Sequence, residues 1–129
     1  MLLQTLLLTA LLAAPQLETA FTVQYGGKTY DFRVTDAELQ KTPAWPPTQE
    51  NPPLSARRAI DIASKQLAAL LPNAKDWKLQ EVRLQAIDNR WVYLVGFVEP
   101  LRPNVPDQVT RGFQIVVLMN GVAVMPQVK

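Results

Sequence analysis

Eight of the eleven prolines in this chain of 129 residues fall in two clusters, and these decide where regular structure can form. Pro43, Pro46, Pro47, Pro52 and Pro53 occupy a stretch of eleven residues. Proline lacks a backbone N–H and fixes φ, so neither a continuous helix nor an interior strand is expected to pass through residues 35–53. Pro100, Pro103 and Pro106 act in the same way on residues 99–110. Both stretches read as extended connectors, and the remaining chain divides into blocks of clear periodicity.

The first block is a β-hairpin. Phe21-Thr-Val-Gln-Tyr25 and Tyr30-Asp-Phe-Arg-Val34 alternate apolar and polar residues around Gly26-Gly27-Lys28, where positive φ is tolerated. The second block is a helix opened by Leu54-Ser55 and stopped by Pro72-Asn73, with Ala56, Ile60, Ala63, Leu67 and Leu70 forming one apolar stripe. After Trp77 the period changes to two. Trp77 to Gln80 and Val82 to Ala86 alternate in opposite phase, which predicts a bulge near Gln80-Glu81. Trp91 to Val98 is apolar on both faces and reads as a central strand. Gly112 to Met119, the turn Asn120-Gly121 and Val122 to Met125 complete a four-stranded antiparallel meander. The predicted class is α+β: one amphipathic helix on a four-stranded meander, with an extra amino-terminal hairpin. The second face of the meander needs a cover, supplied by the hairpin with Trp45 or by a second subunit or partner.

Residues 2–14 hold no charge and are mostly apolar, too short a run to span a membrane but long enough for the core of a secretory signal. Residues 1–20 are therefore expected to be an export signal and residues 21–129 a single domain, exported to the periplasm or beyond. Cuts after Ala14 and after Ala20 both lack a clean small-residue site. A membrane association would run only through an uncleaved amino-terminal segment.

The chain has no His and no Cys, which excludes zinc sites built on those ligands and Ser-His-Asp or Cys-His nucleophilic centres. Its five glycines form no phosphate-binding loop. The 13 basic and 11 acidic residues leave a net charge of +2, without the dense basic stripe that nucleic acid requires. The remaining catalytic option is a carboxylate pair, Asp31, Asp36 or Glu38 with Glu99 or Asp107. No catalytic residue, metal ligand or cofactor is expected from these residue types.

Binding is the function class left, and the prolines suggest where. Trp45 beside Pro46 and Pro47 is a candidate anchor for a partner, or a lid on the sheet, and Arg102 with Pro103 a second candidate contact. Strand addition at an open sheet edge is the other mode expected. Two alternatives stand beside protein or peptide binding: an apolar-ligand binder of cystatin-like shape, its pocket lined by Trp91, Tyr93 and Phe113, and a structural homodimer.

Pro53-Leu-Ser-Ala-Arg-Arg-Ala-Ile-Asp-Ile-Ala, then Trp91-Val-Tyr-Leu-Val and Ile115-Val-Val-Leu-Met-Asn-Gly-Val-Ala-Val, resembles the PepSY-like small exported domains over residues 53–126. The resemblance implies a non-catalytic module of secreted or envelope proteins that binds or restrains peptidases.

Overall fold

The computed structural model describes residues 17–129. The apolar run at residues 2–14 lies outside the described residues. The fold is α+β, with two antiparallel three-stranded sheets and one main helix.

Strands β1 (Glu18–Tyr25) and β2 (Lys28–Thr35) form the expected hairpin, in register from Glu18 opposite Thr35 to Tyr25 opposite Lys28. It starts three residues before Phe21, so Glu18, Thr19 and Ala20 belong to the sheet. Gly26 and Gly27 close it at φ of 59° and 75°, the positive values that a tight two-residue turn requires at both positions. The alternation of β2 places Tyr30, Phe32 and Val34 in the core, where Phe32 and Val34 are fully buried.

The connector 35–53 contains a short helix that the proline count hides, α1 (Asp36–Gln40). Its signal is Thr35-Asp-Ala-Glu38. The Thr35 hydroxyl accepts from the Glu38 N–H at 3.1 Å and donates to the Glu38 carboxylate at 3.0 Å, so one side-chain pair holds the first turn. The prolines start only at Pro43, after this helix has ended.

Helix α2 (Ala56–Leu70) begins at Ser55, whose side chain accepts from the Arg58 N–H at 3.2 Å. Its buried residues are Ala59, Ala63 and Leu67, with Ile60, Ile62 and Leu70 partly buried, while Ala56 is exposed. The buried stripe is thus rotated from the one predicted, putting two alanines where the helix meets β-strands closely. α2 packs on the second sheet, formed by β3 (Lys78–Ile87), β4 (Arg90–Val98) and β5 (Gly112–Leu118) in that order.

The bulge predicted near Gln80-Glu81 is present, as a register shift between Leu79 and Glu81. Beyond it, Val82, Leu84 and Ala86 lie opposite Val95, Tyr93 and Trp91, and so share one face with them. Glu81, Arg83, Gln85 and Ile87 share the other face with Gly96, Leu94, Val92 and Arg90. The Tyr93 hydroxyl donates to the Leu54 carbonyl at 2.6 Å, which fixes the start of α2 on the first face. Burial raises the Tyr93 pKa and keeps the phenol protonated for that bond.

The fourth meander strand is not formed. Val122 to Val124 turn back along β5 with two backbone bonds, Leu118 N–H to Val122 O and Val124 N–H to Val116 O, each at 2.9 Å. The next donor in that ladder would be residue 126, which is proline and has no N–H. The chain leaves instead to form β6 (Gln127–Val128), the third strand of the hairpin sheet, opposite Tyr30 and Asp31.

The two sheets share one core. β1 packs on β5. Its residues Thr22 to Gln24 border a cleft with Glu81, Gly96 and Gln114, and Leu17 to Thr19 border another with Ile87. Three of these sheet residues, Glu81, Gly96 and Ile87, lie on the second face by the β3–β4 register and Gln114 joins them opposite Gly96, while Phe97 and Phe113 of the first face also border the former cleft. Hairpin residues thus reach both faces, the second at Glu81, Gly96, Gln114 and Ile87 and the first at Phe113. Trp45 packs on Trp91, on the first face. At the other end of β5, Phe113 takes the rings of Tyr30, Phe32 and Tyr25 edge-on, with centroids 4.9, 6.1 and 6.4 Å away.

Candidate functional site

Trp45 packs edge-on against Trp91, with ring centroids 5.4 Å apart, and its indole N–H donates to the Gln49 carbonyl at 2.8 Å. Gln49 in turn closes a turn back to Pro46. Trp45 is a half-buried lid over the start of β4, and Pro46 and Pro47 beside it are exposed.

Arg102 and Pro103 are exposed on the loop between β4 and β5. The loop is shaped by one side chain. The Gln108 amide accepts from the Arg102 N–H at 2.7 Å, and donates to the Arg102 carbonyl and to the Val105 carbonyl. This loop follows Val98, whereas Trp45 sits on Trp91, seven residues earlier in β4, a separation of about 23 Å along an extended strand. Trp45, Pro46 and Pro47 thus form one place and Arg102 with Pro103 another, at opposite ends of β4.

Two of the carboxylates singled out from the sequence, Asp31 and Glu38, are engaged structurally. Asp31 accepts from Arg33 at 2.7 Å and from Thr22 at 3.3 Å, and Arg33 also reaches Glu18 at 3.0 Å. The Arg33 guanidinium holds the Asp31 carboxyl below its ordinary value of 3.8, against a smaller opposing effect of burial. A carboxyl working as a general acid is tuned upward instead. Glu38 serves the Thr35 cap. Among the described residues, no three metal-binding side chains gather. No helix of the described residues is long and apolar enough to cross a membrane.

The lowered pKa of Asp31 has a consequence for stability. A depressed folded-state pKa stabilises the fold above the ordinary value, and that contribution is lost as pH falls through the folded value. Asp31→Asn is therefore expected to be less stable than the parent at neutral pH, with the difference closing at acid pH below 3.8. Urea unfolding at several pH values measures it; a difference that stays constant into acid would show that the charge of Asp31 plays no part.

The sequence expects an open sheet edge without naming its strand, and one such edge is that of β3, whose residues are absent from the sequence-based candidates. Among the described residues its only strand neighbour is β4, and no backbone hydrogen bond joins it to any other segment. Beside this edge, on the first face, lies an open cleft of about 420 Å³ bordered by Pro52, Ser55, Ala56, Val82, Leu84 and Tyr93. Its walls are mainly apolar, and α2 meets them with small residues, which leaves the space open. Of the three residues expected to line a ligand pocket, Tyr93 alone borders this cleft; Trp91 lies under Trp45 and Phe113 in the ring cluster. A larger opening of about 640 Å³ lies at the hairpin turn, bordered by Gln24 to Thr29 and by Thr110 to Gly112.

A signal for the edge was present in the sequence. In a meander the first strand has a neighbour on one side only, and Val82, Leu84 and Ala86 alternate with Arg83 and Gln85 as a strand with one apolar face does. No family model, curated protein or solved structure matches the chain.

Proposed function

We propose that this chain is an exported, non-enzymatic binding module that takes an extended segment of a protein partner onto the free edge of β3. The observation that carries the reading is the coincidence of a ten-residue strand with one unpaired edge and an apolar cleft on one of its faces. Strand addition draws affinity from main-chain hydrogen bonds and specificity from pockets for alternate side chains. Here the alternate side chains on the first face meet Val82, Leu84 and Tyr93, and those on the second face meet Arg83. The client that fits is a proline-free strand, apolar on one face and acidic on the other. Following the PepSY-like resemblance, we assign that client to an envelope peptidase, which the module would restrain. In this reading an export signal is cut ahead of Leu17, because Leu17 accepts from the Asp36 N–H and Glu18 begins β1.

A labelled peptide alternating valine and glutamate tests the edge. It is expected to bind residues 17–129, and to lose at least about tenfold in affinity toward Leu84→Asp, which puts a charge on the apolar face. The same peptide N-methylated at alternate amides, on the side that pairs with β3, is expected to lose binding to the parent protein. Equal binding of the methylated and unmethylated peptides, or no binding of either, would overturn the reading.

A further inference from the structure

We propose that, when no client is present, the free edge of β3 pairs antiparallel with β3 of a second copy about a two-fold axis at Leu84. The inference rests on β3 being the binding edge and assigns what occupies it in the free protein.

Three observations set the partner and the register. The bulge at Gln80 leaves Glu81–Ile87 as the regular part of the strand, and Leu84 is its midpoint. Centring one residue earlier would place Arg83 opposite the partner's Arg83, which like-charge repulsion disfavours. Centring at Leu84 places Leu84 against the partner's Leu84 and Val82 against the partner's Ala86, so the apolar face of each strand continues into that of the other. The two clefts bordered by Val82 and Leu84 then open toward each other across the axis.

On the second face the same register sets Glu81 opposite the partner's Ile87, whose neighbour across the sheet is Arg90. Arg90 is half-buried, and its Nε is buried with no hydrogen-bond partner among the described residues. Among the described residues the Glu81 carboxylate has a single ion-pair contact, at 3.5 Å with exposed Arg83. From Glu81 to the partner's Arg90 is two strand spacings, about 10 Å between Cβ atoms, within the joint reach of a glutamate and an arginine. Each dimer makes this pair twice. A seven-residue ladder covers less surface than a standard interface of about 1,600 Å², so the dimer is weak and concentration-dependent. A client segment must displace it, which makes self-pairing a threshold for binding.

Sedimentation of residues 17–129, which hold both sheets, α2 and the whole described core, tests this without any peptide present. The parent is expected to pass from monomer to dimer between micromolar and millimolar concentration. Glu81→Arg and Arg90→Glu are each expected to weaken the dimer about tenfold or more, since two symmetry-related pairs turn repulsive. The double exchange Glu81→Arg with Arg90→Glu is expected to restore it. Leu84→Asp sets two like charges on the axis and is expected to leave a monomer. A parent that stays monomeric throughout, or a dimer that none of these substitutions weakens, would overturn the proposal. Because the peptide titration runs at concentrations where the protein is monomeric, loss of self-pairing and loss of peptide binding are separate results.

Discussion

Replacing Phe113 with alanine is expected to remove about 3–5 kcal/mol of stability, a large part of what a domain of this size holds. Phe113 is 2% exposed and, among the described residues, is the one ring in contact with Tyr25, Tyr30 and Phe32 together, while Tyr25 in turn stacks edge-on with Trp77 at 5.1 Å. Truncation leaves a cavity between the hairpin and β5 that Tyr25, Tyr30 and Phe32, all held by the hairpin sheet, cannot close from their side alone. Phe113→Leu keeps most of the volume and gives up the edge-to-face geometry, so a loss of about 1.5 kcal/mol is expected. Urea unfolding measures both. A loss below about 1 kcal/mol for the alanine variant would mean that the hairpin does not depend on the second sheet.

Gly26→Ala with Gly27→Ala is expected to destabilise the fold by about 2 kcal/mol net. Each residue sits at positive φ, where a Cβ adds about 1–2 kcal/mol of backbone strain, and a stiffer unfolded chain offsets part of the sum. Nothing lies within 4 Å of a Cβ at either position, so the effect is one of backbone alone and owes nothing to a clash. Gly26→Asn is the matched control. Asparagine tolerates the left-handed region and suits the first position of this turn, so it is expected to cost only a few tenths of a kcal/mol. Thermal unfolding of the three proteins reads the difference; equal losses for the double alanine and the asparagine variants would rule out the turn geometry as the cause.

Periodicity carried most of the fold. The hairpin, α2, the bulge and the central strand were legible because each has a local pattern: two alternating runs around Gly26-Gly27, a Ser55 cap, a change of phase at Gln80, and apolar residues on both faces of Trp91 to Val98. Three features were obscured by physical effects that such patterns do not express. The short helix α1 depends on one side-chain pair, Thr35 with Glu38, inside a stretch whose proline content dominates its character. The expected fourth strand fails because Pro126 cannot donate at the next step of the ladder, and the chain end is taken up by β2 instead. The buried stripe of α2 passes through Ala59 because the sheet beneath it, and not the helix alone, decides which residues come closest.

The candidate site was less legible. Trp45 and the loop prolines stand out because aromatic and rigid residues draw attention to loops, and the structure places them at opposite ends of β4. A strand edge is defined by the hydrogen bonds it lacks, so no residue type marks it. Val82, Leu84 and Arg83 became a binding surface only once β3 was seen to end the sheet beside the cleft at Tyr93.

Amide hydrogen exchange across β3 and β4 tests the central claim most directly. If β3 is an open binding edge, its outward-facing amides exchange fast in the dilute free protein, while those of β4, bonded on both sides, stay protected. Adding the alternating valine–glutamate peptide should then slow the β3 amides and leave β4 unchanged. Strong protection along the whole of β3 in the dilute monomer, or protection on peptide addition that appears elsewhere and not on β3, would contradict it.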